Sequence, residues 1–439
     1  MPSIRIPALS ESSLVRYLSL GVLYVAQGLP VGLLMYAFPA YFAENGLTPG
    51  QIGTFIGLIY APWGLKLFAG PFMDRFSFLA MGRRRPWVLG AQVGTILCIL
   101  WMAVVPDPLN QLALLSVAAV AVNTFMAIQD VAVDGMAVDV LPLDEQSRAN
   151  GVMFGCQALG IAVGTSGGAI LLSQGGIPAA SIALASAVSV AFIVPLLLRE
   201  RPGERLLPWS AGEPNEASLR LQLHGWKDIG TTLFRGVVLP VSLVALVAQF
   251  LERVGEGILA ETLPILAVQE LGWNDTDFSH LNGTSKLVAA GIGIFLGGWL
   301  ADRFGRVRMI KILCVFVVAI ASVMAALPAL WDDSTIIGSF VVVYSVLTTL
   351  FSIIFSATMM ALCWKRVAAT QFSLYMAVSN VGISAGAALI GPLQSAVGYR
   401  YIFMCGALFY AVVFVLLYFV DVGAHVRRLE EMEGSYAAA

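Results

Sequence analysis

The chain has 439 residues, of which 58% are hydrophobic and 12% charged, with a mean hydropathy of +0.84 and a formal net charge of −2. Soluble domains carry about 25% charged residues, so the composition excludes an ordinary soluble domain and points to an all-α polytopic membrane protein. The cysteines, Cys98, Cys156, Cys314, Cys363 and Cys405, stand singly in apolar runs with no Cys-x-x-Cys and no neighbouring His; no metal and no redox cofactor is expected from them.

In chain order, a short polar start with Arg5 and Arg16 precedes an apolar run that continues to about Phe42. The run exceeds a signal-peptide core, so it is read as an uncleaved first helix, bent near Pro30 and Pro39, with Gln27 mid-span. The second span, about 51–73, contains Lys66, eight residues or about 12 Å from its inner end. A basic loop, DRFSFLAMGRRRPW, follows with Asp74, Arg75 and Arg83 to Arg85. Spans three and four cover about 87–105 and 109–141. No charge occurs over 149–198, where two glycine-rich helices fit on either side of Gly175-Gly176-Ile177-Pro178. Gly160, Gly164, Gly167 and Gly168 predict close helix approach there.

Residues 199–235 form a charged, proline-containing linker, with an amphipathic helix expected over 216–232 on the membrane face. The remaining spans are about 237–271, 278–301, 309–330, 336–364, 368–393 and 401–420. The expected domains are an N-terminal six-helix bundle (1–198), a cytoplasmic linker (199–235), a C-terminal six-helix bundle (236–422) and a cytoplasmic tail (423–439).

The second half echoes the first. GPFMDRF at 70–76 recurs as GWLADRFGR at 298–306, each with a Gly four residues before Asp-Arg-Phe. Two such halves fit the parallel repeat of a facilitator-type transporter. Nearly all loop Lys and Arg fall on one side when both termini and the linker are cytoplasmic, the loop near Arg400 being the exception, while Glu44, Asp107, Glu270, Asp275, Asp277, Asp332 and Asp333 fall on the other.

Asp130 and Asp134 are one helical turn apart, so they project about 6 Å from each other on one face. With Lys66, Glu252, Arg253, Glu256, Glu261 and Lys286 they make eight charges at membrane depth. At ~3 kcal/mol each they would cost about 24 kcal/mol facing lipid, so they are expected to face the interior. Glu252 and Glu256 repeat the one-turn spacing. Lys66 is expected to pair with Asp130 or Asp134, as a proton-coupling or anion-binding group or as a fixed structural pair. Gln27 and Gln129 are polar candidates beside them. The inner-end residues Asp74, Arg75 and Arg83, with Asp302, Arg303 and Arg306, are read as a gating set, although Arg83 to Arg85 also serve as plain topology signals. No nucleotide-binding loop and no His-Glu-x-x-His is present, so neither ATP use nor metal hydrolysis is expected.

GPFMDRF followed by GRRRPW, with Lys66 eight residues ahead of Asp74, resembles the bacterial muropeptide permeases of the major facilitator superfamily. Gln129–Asp139, QDVAVDGMAVD, is similar to the same group and to the related acetyl-CoA transporters. The resemblance implies a twelve-helix major facilitator fold of two six-helix halves and no enzyme activity. It also implies proton-coupled import of a muropeptide-type solute, working by alternating access in the bacterial inner membrane, and Lys66, Arg253 and Lys286 favour a small, anionic one. A cavity between the halves and roles for Asp130, Asp134 and Lys66 are carried over with it. Siderophores and acyl-CoA are alternative solutes, and a non-transporting membrane assembly factor is the alternative of another class. The expected partners are a small-molecule substrate, protons and the lipid bilayer, with no nucleic acid and no cofactor; the expected state is a monomer.

Overall fold

The computed structural model describes residues 7–273 and 275–438; Arg5 lies outside the described residues. Among these, all regular structure is helical. Ten helices are long and apolar enough to cross a membrane, and an eleventh, Pro240–Glu270, qualifies together with the linker helix to which it is bent by 78°. One of the ten, Gln146–Leu197, has 52 residues and would measure about 78 Å if straight, more than twice the ~30 Å hydrocarbon core. It breaks at Gly176 (φ 64°, ψ −164°), a left-handed conformation that favours glycine. Counted as two crossings, it brings the spans to twelve.

The spans are α1 (Ser13–Glu44), α2 (Pro49–Arg75), α3 (Arg85–Ala103), α4 (Leu112–Val140), α5 (146–175) and α6 (177–197), then α7 (Pro240–Glu270), α8 (His280–Phe304), α9 (Arg306–Ala326), α10 (Ser334–Ala361), α11 (Lys365–Val397) and α12 (Tyr399–Phe419). In α1 the expected bend takes the form of a π-helical turn, Leu33–Ala37, lying between Pro30 and Pro39. The helix continues through both prolines.

The linker corrects one expectation. Instead of one amphipathic helix over 216–232 there are two, Glu216–Leu221 and Trp226–Val237. The chain breaks between them because Gln222 Nε2 donates to the Asp74 carbonyl (3.2 Å) and the Arg75 carbonyl (2.7 Å). Trp226 then packs edge-on against Phe72 and Phe76 at 5.1 and 5.9 Å. The tail is also helical, Val422–Ala438. It is anchored by buried His425, whose Nε2–H donates to the Leu362 carbonyl at 3.0 Å, and by Glu433, which accepts from Trp364 Nε1 at 2.7 Å. Burial lowers the His425 imidazole from its ordinary value.

The helices group into two compact units. The first takes the chain up to Glu145, Val152–Leu233 and Lys365–Ser373; the second takes Gln146–Gly151, Phe234–Trp364 and the chain from Leu374. Each unit therefore contains a short segment from the other half of the sequence. Within each, glycines bring the first and fifth helices of the half into backbone contact. A Cβ on Gly164 would stand 2.1 Å from the Leu29 carbonyl oxygen in the first unit, and one on Gly386 2.2 Å from the Val254 carbonyl oxygen in the second. A Cβ on Gly160 would stand 2.5 Å from the Val25 carbonyl oxygen and one on Gly168 would meet a Leu33 side chain, but Gly167 faces open space.

Candidate functional site

In the first unit, two helices converge on the acids of α4. Lys66 Nζ, from α2, lies 3.0 Å from Asp130 Oδ2. Gln27 Nε2, from α1, donates to Asp130 Oδ1 at 2.6 Å, and the Tyr24 hydroxyl donates to Asp134 Oδ1 at 2.5 Å. All five side chains are buried. The i, i+3 spacing of Tyr24 and Gln27 on α1 meets the i, i+4 spacing of Asp130 and Asp134 on α4, so each donor reaches its own carboxylate. Asp134 makes no ion pair among the described residues. Trp63, one turn from Lys66, donates to Asn123 at 3.0 Å, and its ring lies 5.7 Å from the ammonium. Gln129 turns to the Leu23 carbonyl (3.2 Å), where it ties α4 to α1.

Where α2 ends in the same unit is a second cluster. Asp74 pairs with Arg83 (3.4 Å) and Arg84, and Asp139 pairs with the same two arginines at 3.1 and 3.2 Å. Asp74 Oδ2 also accepts from the backbone N–H (2.9 Å) and hydroxyl (2.5 Å) of Thr370, near the start of α11. Arg83 donates to the carbonyls of Lys365 (2.6 Å) and Arg366. Glu200, from the linker, accepts three successive backbone N–H groups: Arg83 at 2.9 Å, Arg84 at 2.6 Å and Arg85. Burial works against charge on Arg84, yet Asp74 and Asp139 hold its guanidinium above its ordinary value. Glu204, buried beside this collar, is pushed up to about 8 by burial and by the charge of Glu200.

The reading of Arg83 to Arg85 as plain topology signals is therefore corrected. They are among the largest fully buried side chains: Arg83 and Arg84 are paired with Asp74 and Asp139, and the Arg85 guanidinium donates to the carbonyls of Pro195, Leu196, Arg205 and Leu206. Arg75 departs from the set and stacks on the Phe76 and Trp226 rings at 5.2 and 4.6 Å.

The repeated motif has its counterpart in the second unit. Asp302 Oδ2 lies 2.6 Å from Arg148 Nε, and Arg306 donates to Gln146 Oε1 and the Ala357 carbonyl, both at 2.9 Å. Arg303 is exposed and makes no ion pair among the described residues. The shared glycine now has a cause. A Cβ on Gly70 would lie 2.7 Å from Thr370 Cα, and one on Gly298 2.4 Å from Arg148 Cα. In both places a helix start rests directly on the glycine.

On α7, Arg253 Nη1 pairs with Glu256, its Nε lies 3.3 Å from Glu252 Oε2, and its Nη2 donates to Ser352 of α10 at 3.0 Å. The remaining two candidates stand apart from these clusters. Glu261 and Lys286 are exposed and unpaired among the described residues.

The family model described as Major Facilitator Superfamily matches residues 20–251 and 245–435. The chain belongs to that superfamily. This facilitator is 25% identical over 371 residues to the anhydromuropeptide permease of Escherichia coli (strain K12), a match covering 82% of this chain and 70% of that one. Its fold is that of the solved facilitator FucP in the outward conformation (TM-score 0.70, 14% identity, 92% of this chain and 98% of that one). A bacterial homologue of the iron transporter ferroportin is also similar (TM-score 0.64, 14% identity, 92% and 98%). The superfamily is one of transporters, so this facilitator is a multi-pass membrane transporter and not an enzyme.

Sequence reasoning missed Tyr24, Asp139, Glu200 and Thr370 as partners in these clusters. Tyr24 was detectable from its one-turn spacing to Gln27, and Asp139 from its place beside the basic loop on the same inner side. Glu200 and Thr370 carry no local signal.

Proposed function

We propose that this facilitator imports a small, anionic organic solute of the muropeptide type across the bacterial inner membrane, coupled to protons, as a monomer working by alternating access with both termini cytoplasmic. The observation that carries the reading is the Lys66–Asp130–Asp134 constellation. One ammonium faces two carboxylates in a buried site, and the second carboxylate is met by a neutral tyrosine hydroxyl. Such a site is electrically balanced when it holds one proton. An anionic group arriving at Lys66 competes with Asp130 for the ammonium, which links solute binding to the proton held by the acid pair. The solute class comes from the permease of E. coli, at 25% identity.

The inner-end clusters serve as latches. Asp74 on Thr370 and Asp302 on Arg148 hold one arrangement and release in the other. Asp302 and Arg306 thus act on the second unit as Asp74 and Arg83 act on the first.

The test is uptake into proteoliposomes with purified anhydromuropeptide and an imposed pH gradient, with a ferric siderophore and an acyl-CoA as parallel solutes. Asp134→Asn is expected to lose gradient-driven accumulation while keeping solute exchange, and Lys66→Met to lose both. Normal pH-dependent uptake by both variants sinks the coupling role. Accumulation of only the chelate or the acyl-CoA replaces the solute class.

A further inference from the structure

The second unit contains a buried acid that neither the latch nor the Lys66 constellation uses. Glu252 on α7 is fully buried, and neither of its carboxyl oxygens accepts a hydrogen bond. Arg253 Nε stands 3.3 Å away but is not aligned to donate, because its Nη1 is engaged by Glu256 and its Nη2 by Ser352. One turn earlier on the same helix, the Gln249 amide is 1% exposed with both polar atoms unpartnered. The other titratable groups that feel Glu252 are neutral at ordinary pH: the Cys314 thiol on α9, the Tyr344 hydroxyl on α10 and the Tyr410 hydroxyl on α12. The cluster thus has one guanidinium for two carboxylates, and no other Lys or Arg pairs with it among the described residues.

An ionised carboxylate buried without donors is among the most unfavourable arrangements a protein interior can hold. The guanidinium is committed to Glu256, so the missing positive charge at Glu252 must be small. A hard metal cation needs a shell of about six oxygens, and no grouping of three or more metal-ligating side chains occurs among the described residues. A proton needs only the carboxyl oxygen itself. Accessibility also grades outward, from 1% for the Glu252 side chain through 10% for Arg253 to 19% for Glu256.

We infer that Glu252 is a second proton-binding site of this transporter, located in the second unit and separate from the Asp130–Asp134 pair. It is loaded in the arrangement seen here, and it empties when Arg253 is released from Glu256 and turns to Glu252. The site goes beyond the proposed coupling at Asp134 and does not depend on it.

Infrared difference spectroscopy of the full-length protein in lipid nanodiscs, titrated in pH and exchanged into D2O, tests this without any solute. A protonated-carboxyl C=O band is expected at neutral pH that is absent in Glu252→Gln and retained in Asp134→Asn. Glu256→Gln leaves Glu252 in place but frees Arg253 for it, so the band is expected to vanish at neutral pH and return on acidification. That response separates a proton site from an acid with a merely structural role, and it holds even if Glu252→Gln fails to fold. A neutral-pH spectrum in which Glu252→Gln or Glu256→Gln matches the parent overturns the inference. So does loss of the band when sodium replaces choline as the salt. Failure of the Asp134 transport experiment leaves this result untouched, because no transport enters it.

Discussion

Gly70 offers the sharpest test of how the Asp74 cluster is built. An alanine there places its Cβ 2.7 Å from Thr370 Cα and 2.9 Å from the Ala369 carbonyl oxygen. Both neighbours are backbone, so neither can rotate away, and α2 must separate from the start of α11 by most of an ångström. Asp74 then loses its bonds from the Thr370 N–H and hydroxyl, now 2.9 and 2.5 Å. Hydrogen bonds to a charged group contribute about 1.5–3 kcal/mol each, so the segment is expected to be held less firmly by about 3–6 kcal/mol. Hydrogen–deuterium exchange followed by mass spectrometry reads this directly. Protection over 365–373 should fall by roughly 10²- to 10⁴-fold in Gly70→Ala. Asp74→Asn, which keeps the shape but removes the charge, should give a smaller loss. Unchanged exchange in Gly70→Ala would refute the claim that the glycine exists to seat this helix start.

The matching change in the second unit, Gly298→Ala, should loosen 146–151, but its broken Arg148–Asp302 pair contributes only up to about 1 kcal/mol because Arg148 is 57% exposed; the same exchange experiment should show the smaller effect. Lys66→Met alone strands the Asp130 charge and should cost about 3–5 kcal/mol, whereas Lys66→Met with Asp130→Asn should recover most of it; thermal melts of the purified variants that prove additive would dismiss the pair as a unit. Glu204 titrates near 8 in the folded protein and at about 4.3 when unfolded. Its contribution to stability is therefore complete below about pH 4.3 and lost as pH rises through about 8. Glu204→Gln should remove that slope, leaving the variant more stable than the parent above pH 8 by about 2–5 kcal/mol; parallel pH–stability curves would contradict it.

The spans and the internal repeat were legible because hydropathy and motif spacing are properties of the chain in one dimension. The α4 acids were legible too, since an ionisable group at membrane depth is conspicuous. What escaped was the identity of partners brought in by tertiary folding. Arg83 to Arg85 look like a solvated basic loop until Asp74, Asp139 and Glu200 surround them. The division of the linker helix follows from Gln222 reaching the Asp74 and Arg75 carbonyls, a contact no amphipathic pattern encodes.

The two polar clusters share a charge count but differ in how they are mounted, and that difference assigns their tasks. In the first unit the base stands on α2, the acids on α4 and their neutral donors on α1. Any relative shift of those helices changes which groups meet, so helix motion there translates into exposure or release of charge. In the second unit Glu252, Arg253 and Glu256 all stand within two turns of α7. That triad moves as one body, and what changes within it is which acid Arg253 faces, a choice set by side-chain rotation and by Ser352 from α10. A transporter with both can couple backbone motion to protonation in one unit while the other loads through a side-chain switch. On this view exchanging the mounting matters more than deleting a charge: Arg253→Lys, which keeps the charge but cannot engage Glu256 and Ser352 at once, should disturb the second site as much as Glu256→Gln does.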